Sequence, residues 1–199
     1  MIKIIINNKI MKAKQLFRFA MVAMFAVAMS SAFVSCDKTD EPQNPDTPVV
    51  PQVGAPAAAC MDLTFKSTAE MRQFFTMTLE YYNEKGEVVS EVIDKDQVVK
   101  KVKSESLPAK AGYRVLIAEK EGLDRSAFTQ FKVNYGYECF IYTVDKDGKK
   151  VKDIAGPAND FINALAINKI DGWLNGYKAG LLKTLYEVDA NGGAKAIDW

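Results

Sequence analysis

Cys36, Cys60 and Cys139 are the only thiols of this 199-residue chain, and no histidine accompanies them. The commonest general base and the commonest zinc and iron ligand are therefore both missing. Neither a glycine-rich phosphate loop nor a nucleophile-elbow pattern takes their place. Asp145 and Asp147, in Tyr142-Thr-Val-Asp-Lys-Asp-Gly148, resemble calcium ligands in type. An EF-hand loop, however, needs more oxygens at longer fixed spacing and a terminal Glu. The other visible carboxylates fall in turns or on outward strand faces, where a charge is usually only solvated. The chain therefore reads as non-catalytic, with no metal and no cofactor. Trp173, Tyr177 and Trp199, in loop or terminal regions, are the candidate ligand-binding residues, because exposed rings stack on sugar faces. Core packing is the more economical reading of each, since a domain of this size needs large side chains inside. A sugar platform requires Trp173 and Trp199 to share one exposed surface.

The chemistry open to Cys36 depends on what precedes it. Phe19 to Met29 is an unbroken apolar run, the right length for a secretory h-region but short of the ~20 residues that span a bilayer. Lys12, Lys14 and Arg18 ahead of it form a positive n-region, and Met1 and Met11 are both open as starts. Small residues follow, and Phe33-Val34-Ser35-Cys36 resembles the bacterial lipobox, with Phe33 where Leu is usual. That resemblance implies a signal peptide over 1–36, ending at a cysteine that is acylated and becomes the new N-terminus. Two or three acyl chains, at ~0.8 kcal/mol per buried methylene, give stable anchoring where one chain would not.

Charge and composition divide the rest of the chain. Residues 1–36 hold five of the 26 basic residues and no acid, which leaves 21 bases against 25 acids beyond them. An acidic exported domain gains nothing from phosphate counterion release, so nucleic acid is not an expected partner. Residues 37–58 form a tether: Pro42, Pro45, Pro48, Pro51 and Pro56 are five of the seven prolines, mixed with Asp37, Asp40, Glu41 and Asp46. Such a segment lacks the apolar residues to offset ordering, and its prolines keep it extended, reaching roughly 60 Å over twenty residues. The acids directly after Cys36 resemble the surface-export signal of Bacteroidota lipoproteins. They imply an outer-membrane location facing the exterior, with a periplasm-facing position as the rival.

Residues 59–199 are one domain's length. Met61, Leu63 and Phe65 alternate with polar residues, as do Phe75, Met77, Leu79 and Tyr81, and then Tyr113, Val115 and Ile117; each set predicts a half-buried strand. Phe128 to Val144 is the longest run, apolar on both faces at Cys139 to Tyr142, and predicts a central strand with a bend or bulge at Gly136. Three turns share a form, in Tyr142 to Gly148, Tyr186 to Gly192 and Tyr82 to Gly86: an Asn or Asp opens and a Gly closes three residues later, predicting hairpins. Pro157, Phe161, Ile162, Leu165 and Ala166, followed by a cap at Asp171, predict a helical insertion over about 157–177. The fold class expected is an all-β antiparallel sandwich of eight or nine strands, with a barrel not excluded. For Cys60 and Cys139 a bridge would close a long loop, but two separate thiols are preferred, with Cys139 buried as a small hydrophobe.

The lipobox, the acidic start at Asp37 and the repeated Asp-x-Asp/Asn-Gly hairpins together resemble the small Bacteroidota lipoproteins that carry one immunoglobulin-like β-sandwich behind a Pro-rich tether. The resemblance implies address and fold and transfers no catalytic residue. Two roles follow: a lipid-anchored surface domain making protein contacts or adhesion, or a carbohydrate-binding accessory module of a nutrient-uptake system. The partners expected are the membrane, through Cys36, and a protein or glycan.

Overall fold

The computed structural model describes residues 54–199, so the leader, Cys36 and the tether up to residue 53 lie outside the described residues. Ten strands form two antiparallel sheets. The first contains β1 (Ala58–Ser67), β4 (Gln97–Lys103), β6 (Gln130–Val144), β7 (Lys150–Ala155) and β8 (Ala158–Ala166), in the order β4-β1-β6, with β7 and β8 both paired to β6. The second runs β10 (Ala194–Ala196), β9 (Leu182–Val188), β5 (Ala109–Glu119), β2 (Phe75–Tyr82), β3 (Val88–Val92). Two short helices, α1 (Ala69–Phe74) and α2 (Ile170–Gly176), carry the chain from the first sheet to the second.

Alternation decides which way each strand faces. Met61, Leu63 and Phe65 of β1 and Phe75, Met77 and Leu79 of β2 are buried, as are Tyr113 and Val115 of β5 and Phe131, Val133, Cys139 and Ile141 of β6. They meet between the sheets in one core, which is the all-β sandwich expected from the pattern. Apolar burial of this kind contributes about 25 cal/mol per Å² removed from water. The end of the core carries an aromatic cluster in which Phe131 lies 5.6 Å from Phe75 and 5.8 Å from Trp173, centroid to centroid. β6 is central, as its two-faced apolar run predicts. At Gly136, however, neither ladder shifts register; the irregularities fall between Ile141 and Val144, against β7.

The three Asn/Asp-to-Gly turns are hairpins of one design. Gly86, Gly148 and Gly192 have φ of +77°, +80° and +77°, a region where a Cβ is strained. In each turn the opening side chain accepts two backbone N–H bonds: Asn83 from Lys85 and Glu87, Asp145 from Asp147 and Lys149, Asp189 from Asn191 and Gly193. Two of these turns also seat the entering chain. Asp145 Oδ2 accepts from the Gly54 amide at 3.3 Å, and the Gly192 backbone lies so close to Pro56 that a Cβ there would stand 2.6 Å from its ring. Residues 54–57 thus enter at the β6–β7 end of the sandwich, and the start of β6, fourteen residues away, is about 45 Å distant.

Backbone amides, first of all that of Lys149, hold the Asp145 carboxyl below the usual carboxylate range. A depressed folded-state value stabilises fully above the unfolded pKa near 4 and is lost as pH falls through the folded value. Wild type is therefore expected to lose stability below about pH 4 more steeply than Asp145→Asn, by chemical denaturation across an acid series. Equal slopes would remove this role.

The expected insertion over 157–177 is helical only in its second half. Ile167–Lys169 is a 3-10 turn and Ile170–Gly176 a helix, while 158–166 is strand β8. The reason lies in β6: its first nine residues, Gln130 to Glu138, extend past β7, and β8 pairs with all of them. Phe161 and Leu165, four apart, satisfy the strand period as well as the helical one, and both turn toward the core side.

Candidate functional site

β8 is the outer strand of the first sheet and pairs only with β6. Its parity is set by the bonds that bracket it, Cys139 N–H to Pro157 C=O and Ile167 N–H to Thr129 C=O. Odd-numbered residues therefore bond toward β6, and Ala158, Asp160, Ile162, Ala164 and Ala166 point their N–H and C=O groups away from the sheet. All five are exposed; the Ala164 amide donates to Asn163 Oδ1 at 2.8 Å, a contact that an incoming strand must displace.

An open row of this kind templates another strand unless the sequence blunts it. The other edge strands are shorter, and all but β3, where Val88 and Val92 are exposed, are also blunted or minimal. β4 carries Lys100, Lys101 and Lys103, β7 carries Lys150 and Lys152 and two register shifts, and β10 has only three residues. At the short edge strand β3, Glu91 pairs with Lys100 across the sandwich, and that ammonium holds the Glu91 carboxyl below its usual range. β8, Ala-Asn-Asp-Phe-Ile-Asn-Ala-Leu-Ala, has no Lys, Arg or Pro and one acid. Its Ile162 side chain is 78% exposed.

The sheet face beside this edge is hollowed. A depression of about 480 Å³ is lined by Thr64, Lys66, Gly136, Glu138, Asn159 and Asp160. It continues along the strands past Asn134 and Ile162 on one side and past Val99, Lys101 and Phe140 on the other. Gly136 opens it, because a Cβ at that position would stand 2.1 Å from Asp160 Oδ1. Phe140, Val99 and Ile162 are large apolar side chains left exposed on this face. The surface offers paired acceptors and donors over backbone, with apolar side chains at its margin, which is chemistry for holding a peptide or protein segment.

The aromatic candidates lie elsewhere. Trp173 and Tyr177 are together, ring centroids 4.9 Å apart, but Trp173 also packs on Phe75 and Phe131 and closes the end of the core. Trp199 lies on the outer face of the second sheet, 5.3 Å from Tyr82 and 5.1 Å from the Arg114 guanidinium, its indole N–H directed at Thr184 C=O. Phe75 and Tyr82 are opposite ends of β2, so Trp173 and Trp199 share no surface. Cys60 and Cys139 are free and buried, on opposite faces of the first sheet. Burial pushes the Cys139 thiol up to about 12, which makes it a packing group.

Sequence reasoning missed β8. The signal available was the run of nine residues after Pro157 without a basic residue, placed where a strand could lie along the long β6. Because the Ile162 amide faces solvent, Ile162→Pro is expected to cost under about 1 kcal/mol, whereas Asn163→Pro removes a bond to β6 and costs on the order of 2 kcal/mol. Urea midpoints of the two variants check this, and the reverse order would refute the parity. Comparison with protein-family models, with characterised proteins and with solved structures finds no significant match to this chain.

Proposed function

We propose that this chain is an exported lipoprotein, anchored in the outer membrane through acylated Cys36 and facing the exterior, whose folded unit binds protein and does no catalysis. The observation that carries the binding reading is the unblunted nine-residue edge of β8, in a domain whose other edge strands are all shorter. It accepts an extended segment by strand addition, main-chain bonds supplying affinity and the depression around Gly136 supplying side-chain selection. Its position supports the role. β8 lies along the first half of β6, away from the end where Gly54 and Pro56 enter, so residues 54–57 leave it uncovered. The immunoglobulin-like kind of sandwich belongs to the same proposal. Supporting it are two antiparallel sheets and a chain that crosses between them after β1, β3, β4, β5 and β8.

The test is a photo-crosslinking residue in place of Ile162 in the full chain, expressed in its own cells. The expected result is a protein adduct, lost when Ala164→Pro removes a neighbouring outward amide. Irradiation that yields no protein adduct, or only glycan, overturns the reading.

A further inference from the structure

The segment that fits β8 best is β8 itself. Resting on the strand-addition reading above, we propose that two copies of this chain pair through β8 in antiparallel register about Ile162, joining their first sheets into one continuous sheet.

Parity allows it. Ile162 points its N–H and C=O outward, so a two-fold axis beside it lets the two Ile162 residues exchange both bonds. Asp160 of one copy then faces Ala164 of the other, and Ala158 faces Ala166, every such residue also pointing outward, with the Ala164 amide exchanging the exposed Asn163 Oδ1 for the second copy's carbonyl. The strand's single charge is placed to suit. Asp160 never meets Asp160 of the second copy; it meets Ala164, whose neighbour on β6 is Lys132. Each Asp160, its carboxylate lying over Gly136 of its own copy, therefore faces a small neutral side chain and no second carboxylate, and the Lys132 beyond that alanine keeps its ion pair with Glu70. On the outer face, Ile162 covers Ile162 and removes the most exposed large apolar side chain of the described residues from water. Ala164 and Ala166 leave room for the approach. On the other face, Phe161 lies opposite Asn163 and Leu165 opposite Asn159, with no like charges in contact.

The chain's own tether is a poorer occupant. Pro42, Pro45, Pro48 and Pro51 alternate in parity, so any nine-residue stretch laid along β8 from that segment brings a proline to a position that must donate. A symmetric contact also closes on itself, which ends the strand addition at two copies instead of propagating it.

Opposed residues in a hydrogen-bonded antiparallel pair have Cα atoms ~5.5 Å apart, within disulfide range. Ile162→Cys in the full chain in its membrane is therefore expected to give a reducible dimer under mild oxidation. Val92→Cys, 65% exposed on the other sheet, is expected to stay at the level of wild type. Co-expression of tagged Asp160→Cys and Ala164→Cys chains tests register without touching Ile162: a mixed disulfide is expected when both are present, in excess over either alone. Monomeric Ile162→Cys together with no mixed species overturns self-pairing. If the photo-crosslinker at position 162 then captures a protein of different mass, strand addition stands and only its occupant is wrong. If it captures none, both readings fall.

Discussion

Truncating Phe131 to Ala is expected to cost about 4 kcal/mol of folding stability, the largest loss for any single side chain in the core. Phe131 is fully buried, and its ring meets Phe75 of β2, Phe74 of α1 and Trp173 of α2. It therefore joins both sheets and both helices at one point. The elements that carry these three rings cannot all close over the lost one, so the cavity term adds to the transfer term. A domain with roughly 5–15 kcal/mol in total would be left marginal. Ile162→Ala, on an exposed side chain, is expected to stay within about 0.5 kcal/mol. Equilibrium urea denaturation compares them; a Phe131→Ala loss below that of Ile162→Ala would refute the packing account.

Replacing Cys36 with Ser, behind a leader that an ordinary signal peptidase removes, is expected to move nearly all of the protein from the membrane fraction to the soluble one. The expectation follows from the arithmetic of acyl chains: each buried methylene contributes ~0.8 kcal/mol, and no apolar segment beyond the leader replaces what is lost. Residues 37–58 contain no long apolar run, and their acids repel an anionic surface. Cell fractionation with an antibody to the folded unit reads the result. Cys60→Ser, at a buried thiol, is the control expected to stay at the membrane. A Cys36→Ser chain that has lost its leader and still sediments with membranes would contradict anchoring through Cys36.

The strands most legible in the sequence are those with one dry and one wet face. β1, β2 and β5 show strict alternation because the core touches every second residue, and the hairpins announce themselves because only an Asn or Asp opening and a Gly closing meet the turn's needs. β6 betrays its central place by being apolar on both sides. What stayed hidden has physical causes. α1 is six residues long, less than two turns, too short for a period to develop. β8 buries only two side chains, four apart, a spacing shared by helix and strand, and what makes it a strand is the unpaired half of β6 lying far away in sequence. Gly136 carries no register shift; its missing Cβ instead makes room for the Asp160 carboxylate on the neighbouring strand, a tertiary contact invisible to local pattern. The site followed the same rule. Aromatic residues drew attention as types, yet Trp173 closes the end of the core and Trp199 lies on the outer face of the other sheet, while the open edge consists of three alanines, one aspartate and one isoleucine.

A displayed edge requires a displayed domain, and the intact mass of the membrane-extracted protein tests that most directly. The account predicts a chain that begins at Cys36 and carries two or three acyl groups on it. A mature chain that begins at another residue, or one of unmodified mass recovered from the medium, would contradict it.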